Sequence, residues 1–177
     1  MNPRYREIVW DAFRNMNARA GHIVTMRDFK FGVLRQMNPV QQEEFIAELE
    51  EMTAEGLLIY EDGRTGLETL RLTQAGFSQL YHPRSDAQIA NVLMDLFSKG
   101  NYRVGEIIPM RNINMQFIPN LNPMEQDRFE DVVNRLIDAR FITYEDGTHK
   151  AIPGLILEQN GFDCIYRNNP STSTVFP

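Results

Sequence analysis

Three histidines and a single cysteine are the side chains of this sequence best suited to hold a metal ion or to attack a substrate. His22, His82 and His149 stand far apart, and none has a second histidine or a cysteine at ligand spacing, so neither a metal site nor a cofactor is expected. Cys164 can form no internal disulfide. It falls between Phe162 and Ile165, on what reads as the apolar face of a last short helix, and is expected to be a half-buried structural thiol. A thiolate nucleophile would need an exposed, electropositive setting instead. Carboxylates are plentiful, with eight acids and no base between residues 37 and 63, but on a solvated helix nothing would raise one of them to the pKa of a general acid. Neither a glycine-rich phosphate loop nor a nucleophile elbow occurs. Phe29 and Phe31 flank Lys30 and could stack on nucleic-acid bases, although filling a small core is the simpler role for them and for Trp10. The residue chemistry points to a protein that binds and does not catalyse.

The elements that would carry these side chains come twice. Asn38-Pro39, Phe45 and Tyr60-Glu61-Asp62-Gly63 return 84 residues later as Asn122-Pro123, Phe129 and Tyr144-Glu145-Asp146-Gly147. In 177 residues such a period implies two small domains, placed here at residues 1–82 and 87–167, with a linker at 83–86 and a flexible tail at 168–177. Asn2 before Pro3 opens a helix whose apolar stripe is Tyr5, Ile8, Val9, Ala12, Phe13 and Met16; Asp86 starts its copy, with Ile89, Val92, Leu93, Leu96 and Phe97. Ile23-Val24 and Ile107-Ile108 are long enough for a brief strand or an extended connector. Thr25 with Asp28 three places on favours a short helix next, while the alternation of Phe29, Phe31 and Val33, and of Ile113, Met115 and Phe117, is a strand pattern, so residues 110–118 in particular read either way.

The third helix of each copy is clearer. Asn38, Pro39 and Gln41, and again Asn122, Pro123 and Glu125, form a cap, a first-turn proline and a capping box. Gly56 supplies the left-handed residue that ends the first of these helices, where the copy has Arg140. A β-hairpin follows each, then a short closing helix beginning at Thr73 in the first copy. Tyr60 and Tyr144 recur at the same hairpin position and are expected to share a packing role.

Formal charge is −6, unevenly spread. Residues 1–36 carry seven bases against three acids, immediately before the acidic stretch 37–63. Such neighbours suggest complementary faces, for self-association or for a charged partner; a solvated helix surface is the plainer alternative. The N-terminus lacks the apolar core of a signal peptide, and no run approaches the ~20 apolar residues of a membrane helix, so a cytoplasmic protein without membrane contact is expected.

Helix, short strand, helix, capped long helix, hairpin and closing helix, with the passage GLLIYEDG followed by LRLTQAGF, resembles the winged helix-turn-helix superfamily, in tandem. The resemblance implies an α+β fold of two winged-helix domains, each a three-helix core with a β-hairpin wing and a closing helix. In that superfamily the third helix usually enters the DNA major groove and the wing touches phosphates. By position this implies recognition by Gln41, Gln42, Glu44 and Glu48 with wing contacts from Arg64, and in the second copy by Gln126, Asp127, Arg128 and Thr148. Here the first third-helix has six glutamates and no base, which phosphates would repel. The expected function is therefore a regulator or adaptor that binds a protein partner, or forms a homo-oligomer, through Glu44, Glu48, Glu51, Asp127 and Asp131. The alternative is a DNA-binding transcription regulator using Arg27, Lys30, Arg35, Gln41, Gln42 and Arg64, the glutamines touching bases.

Overall fold

The computed structural model describes residues 3–62, 67–147 and 152–167. The chain divides into two compact units, Met1–His82 and Pro83–Pro177. Both are α+β, with helices packed on a small antiparallel sheet.

In the first unit α1 (Pro3–Asn15) leads to β1 (Ile23–Thr25), α2 (Met26–Phe31), a 3-10 turn (Leu34–Gln36), α3 (Pro39–Ala54), the strands β2 (Leu58–Glu61) and β3 (Thr69–Leu72), and α4 (Gln74–Leu80). The cap expected at Asn2 lies outside the described residues. Along α1 the buried face is Tyr5, Val9, Trp10 and Phe13; Met16, expected to join it, is exposed because the helix has ended at Asn15. Ile23–Thr25 is a strand and not a connector. It pairs with β3, with Val24 opposite Leu70, and gives a three-stranded sheet in the order β1-β3-β2. The segment after it is helical. The Thr25 side chain accepts from the Asp28 N–H while Asp28 accepts from the Thr25 N–H, so two backbone donors at the helix start are satisfied at once. Met26 and Phe29 point inward from this helix, and Phe31, two positions on, is left exposed. Phe45 of α3 lies at the centre, with the Tyr5 ring 6.2 Å and the Phe29 ring 5.6 Å away.

In the second unit α5 (Asp86–Lys99), β4 (Ile107–Pro109), α6 (Met110–Asn112), α7 (Pro123–Asp138), β5 (Ile142–Glu145), β6 (Gly154–Leu157) and α8 (Gln159–Tyr166) repeat the plan, with sheet order β4-β6-β5. Residues 110–118, which read either as helix or as strand, are helical, and the helical run continues to Asn120. After α6 a π-helical turn (Ile113–Phe117) closes with the Ile118 N–H donating to the Ile113 carbonyl, and a 3-10 turn (Ile118–Asn120) takes in Pro119. The wide turn sets Ile113 and Phe117 into the core and leaves Met115 in solvent, so the alternation in sequence is not that of a strand. The stretch 83–86, expected as a linker, is tied into this unit: Ser85, and not Asp86, caps α5, and Arg84 bonds Glu125. The expected tail, 168–177, lies outside the described residues.

One close approach recurs in both units. A Cβ on Gly76 of α4 would lie 2.1 Å from the Leu57 carbonyl oxygen, and one on Gly161 of α8 would lie 2.2 Å from that of Phe141. Glycine is what lets each closing helix rest against the start of its hairpin.

Candidate functional site

The acidic third helix of the first unit is only partly available to a partner. Glu48, expected to be exposed, is buried, because it faces α1, where the Arg6 Nε donates to it at 2.6 Å. The same guanidinium donates to Glu55 at 3.0 and 3.1 Å. One turn before, the Tyr5 hydroxyl donates to Glu44 at 3.0 Å, and burial, together with that acid, pushes the phenol pKa up. The basic first helix and the acidic third helix are thus complementary faces inside one unit. Glu43, Glu50 and Glu51 remain without an ion-pair partner among the described residues, and the first two are exposed. In the second unit Asp127 and Asp131 are exposed on α7.

The residues expected to meet DNA are placed less favourably for phosphates. Lys30 donates to Glu68 at 2.6 Å. Arg27 is exposed and its guanidinium carbon lies 5.5 Å from the centre of the Phe31 ring; Arg35 is exposed on the 3-10 turn. Gln41 holds the cap of α3, accepting from the Asn38 N–H. The Gln42 amide, read as a candidate base contact, donates instead to the carbonyls of Leu34 and Met37, fastening the 3-10 turn to α3, and Gln126 does the same to Ile118 and Leu121. Arg128 is held by Asp86 at 2.7 Å and by the Arg84 carbonyl. Arg64 and Thr148 lie outside the described residues, as does His149.

Beside α3 the first unit has a cleft of about 560 Å³ between that helix, α2 and the strands β2 and β3. Met26, Leu49 and Leu70 form its buried floor, and Ile46 and Tyr60 its exposed lip. Tyr60 was expected to pack. It is 45% exposed, and Tyr144 is 51% exposed, while Leu58 and Ile142 two positions before them on the same strands are the buried residues. Lys30, Glu50 and Glu68 supply the polar rim. The Lys30 ammonium, with the Tyr60 hydroxyl also bonded to Glu68, holds the Glu68 carboxyl below its ordinary range. Nothing in the sequence marks this group, since Lys30 and Glu68 are 38 positions apart and meet only because β3 runs beside β1.

Among the described residues no cluster of three or more histidine, cysteine or acidic side chains is placed to hold a metal ion. No helix among them is long and apolar enough to cross a membrane. Cys164 is half-buried, and burial raises the thiol pKa. In comparisons with known proteins the chain matches no family model, no curated protein and no solved structure.

Proposed function

We propose that the chain is a non-catalytic cytoplasmic regulator or adaptor, built of two tandem winged-helix domains, that binds a protein partner through the acidic third helix of the first. Support for the domain type comes from the order of elements and from sheets in which the first strand pairs with the third, leaving the hairpin free at one edge. One observation carries the functional reading. α3 offers Glu43 and Glu50, exposed, and Glu51, half-buried, with no base among them, while Arg6 and Lys30 are already bound to acids of the same unit. Such a face repels phosphates and attracts a basic protein surface, chiefly by speeding encounter.

A second reading, a DNA-binding transcription regulator, is favoured by Arg27 and Arg35, which are exposed and have no acidic partner among the described residues. One experiment separates the two. The chain is titrated by fluorescence anisotropy against mixed-sequence duplex DNA, first at low and then at physiological salt. The adaptor reading expects no saturable binding at either. Micromolar binding that falls steeply with salt and is lost on Arg27→Ala with Arg35→Ala would replace it with the regulator reading.

A further inference from the structure

We propose that the cleft between α3 and the hairpin of the first unit is a binding site for a small apolar organic cation. Its volume, about 560 Å³, lies in the range of small-molecule pockets, and it has their usual design of an apolar floor with a few convergent polar groups. Met26, Leu49 and Leu70 provide the floor, and the Thr53 hydroxyl is turned away from any ligand because it donates to the Leu49 carbonyl at 2.8 Å. Charge decides the class of ligand. Lys30 and Glu68 neutralise each other across 2.6 Å, which leaves Glu50 on the opposite wall as an acid with no partner among the described residues. The Tyr60 ring at the lip adds a face that attracts cations. An anion of the same shape would meet Glu50 uncompensated.

The second copy serves as an internal control. At the positions of Lys30, Ile46, Glu50, Thr53 and Glu68 it has Asn114, Glu130, Asn134, Ile137 and Pro153. It nevertheless builds the same order of elements and the same three-stranded sheet, with a π-helical turn at Ile113–Phe117 where the first copy continues α2. The fold therefore does not require the ion pair, the apolar lip or the unpartnered acid, and their presence in one copy alone sets that copy's cleft apart from the scaffold.

The test uses the full chain, labelled with nitrogen-15, and two probes of matched shape and opposite charge, tetraphenylphosphonium and tetraphenylborate. Tetraphenylphosphonium is expected to give saturable amide shifts confined to residues 26–30, 46–53, 58–61 and 68–70, and tetraphenylborate to give none there. Glu50→Lys, a surface change, is expected to weaken phosphonium binding about tenfold. The triple variant Ile46→Glu, Glu50→Asn, Thr53→Ile, which carries the second copy's own residues, is expected to stay folded and to abolish the shifts. Absence of phosphonium binding, equal binding of the borate, or undiminished binding by the folded triple variant overturns the proposal. None of these outcomes depends on whether the chain's macromolecular partner is a protein or DNA.

Discussion

Four N–H groups converge on Glu125: the Arg84 backbone at 2.7 Å, its Nε at 2.9 Å and Nη2 at 2.8 Å, and the Asn122 backbone at 3.1 Å. Burial alone would raise this carboxyl, but the hydrogen bonds and the charge of Arg84 outweigh it and bring the pKa down to about 2. In the first unit the corresponding capping residue is the neutral Gln41, which does the same work without a counter-ion. A carboxyl whose folded pKa lies below its unfolded one stabilises the fold above the unfolded value, and that contribution is lost as pH falls through the folded one. Between roughly pH 4.5 and pH 2 the second unit should therefore lose on the order of 2 kcal/mol from this group alone. Urea unfolding of the wild type and of Glu125→Gln checks this. The wild type should be the more stable at pH 7, and the gap should close toward pH 2; a gap that does not change with pH would show that the carboxylate contributes nothing through its charge.

At the level of elements, each unit clamps its first helix to its third with charge, and the two clamps have opposite polarity. In the first unit the base is on α1, Arg6, and the acids are Glu48 on α3 and Glu55 at its C-terminal cap. In the second the acid is on α5, Asp86, and the bases Arg128 and Arg135 are on α7. Where the first unit has Arg6, Glu48 and Glu55, the second has Ala90, Val132 and Ala139. Removing only the base leaves Glu48 buried and uncompensated, so Arg6→Ala should cost about 3 kcal/mol. Adding Glu48→Val, which restores the second unit's apolar solution, should recover most of that loss, read as the denaturation midpoint of the double variant against the single one. The ends of the two long helices differ as well. Gly56 takes a positive φ of 74° after α3, and Arg140 takes 57° after α7, a conformation that crowds a Cβ. Arg140→Gly is expected to stabilise the second unit by about 1 kcal/mol, visible as a higher Tm, because the strain removed exceeds the added freedom of the unfolded chain. An unchanged or lowered Tm would mean that the arginine side chain contributes more than its backbone costs.

For the whole molecule, the central question is whether a repeat unit stands alone. Among the described residues the buried core cluster of the second unit runs from Ile89 through Phe97, Ile113, Val132 and Leu136 to Leu157. Its sheet is likewise closed within it, with Ile142 opposite Leu157 and Ile108 opposite Leu155. A fragment of residues 83–177 should therefore unfold cooperatively in urea with dispersed amide resonances, although a chain of that size has little stability to spare. A fragment with collapsed resonances and no unfolding transition would mean that its core needs the first unit. The formal charge of −6 belongs to this scale too: it divides evenly, −3 in residues 1–82 and −3 in residues 83–177, and in the first unit Arg6, Arg14, Lys30 and Arg71 each bind one or more acids of that unit. A partner meets exposed acids on both long helices, Glu43 and Glu50 on α3 and Asp127, Glu130 and Asp131 on α7.

Much of the architecture was legible in one dimension. The 84-residue period, the two capping boxes, Thr73 as the cap of α4 and the strands of both hairpins depend on local spacing and on propensities that act within a few residues, so they can be read along the chain. The strand character of Ile23–Thr25 could not, because three residues become a strand only when β3, more than forty positions away, supplies the hydrogen bonds. Residues 110–118 were ambiguous for the same reason, since burial of Ile113 and Phe117 selects the helical turn and no local cap does. Charge misled where burial intervened: Glu48 looks like its exposed neighbours in sequence, and only the packing of α1 on α3 brings Arg6 to it. By itself the sequence determined the repeat, the elements and where they begin. Tertiary structure alone decided which acids face solvent, which are bound within the unit, and that Lys30, Glu50, Tyr60 and Glu68 share one cleft, because those are contacts between segments whose separation along the chain carries no signal.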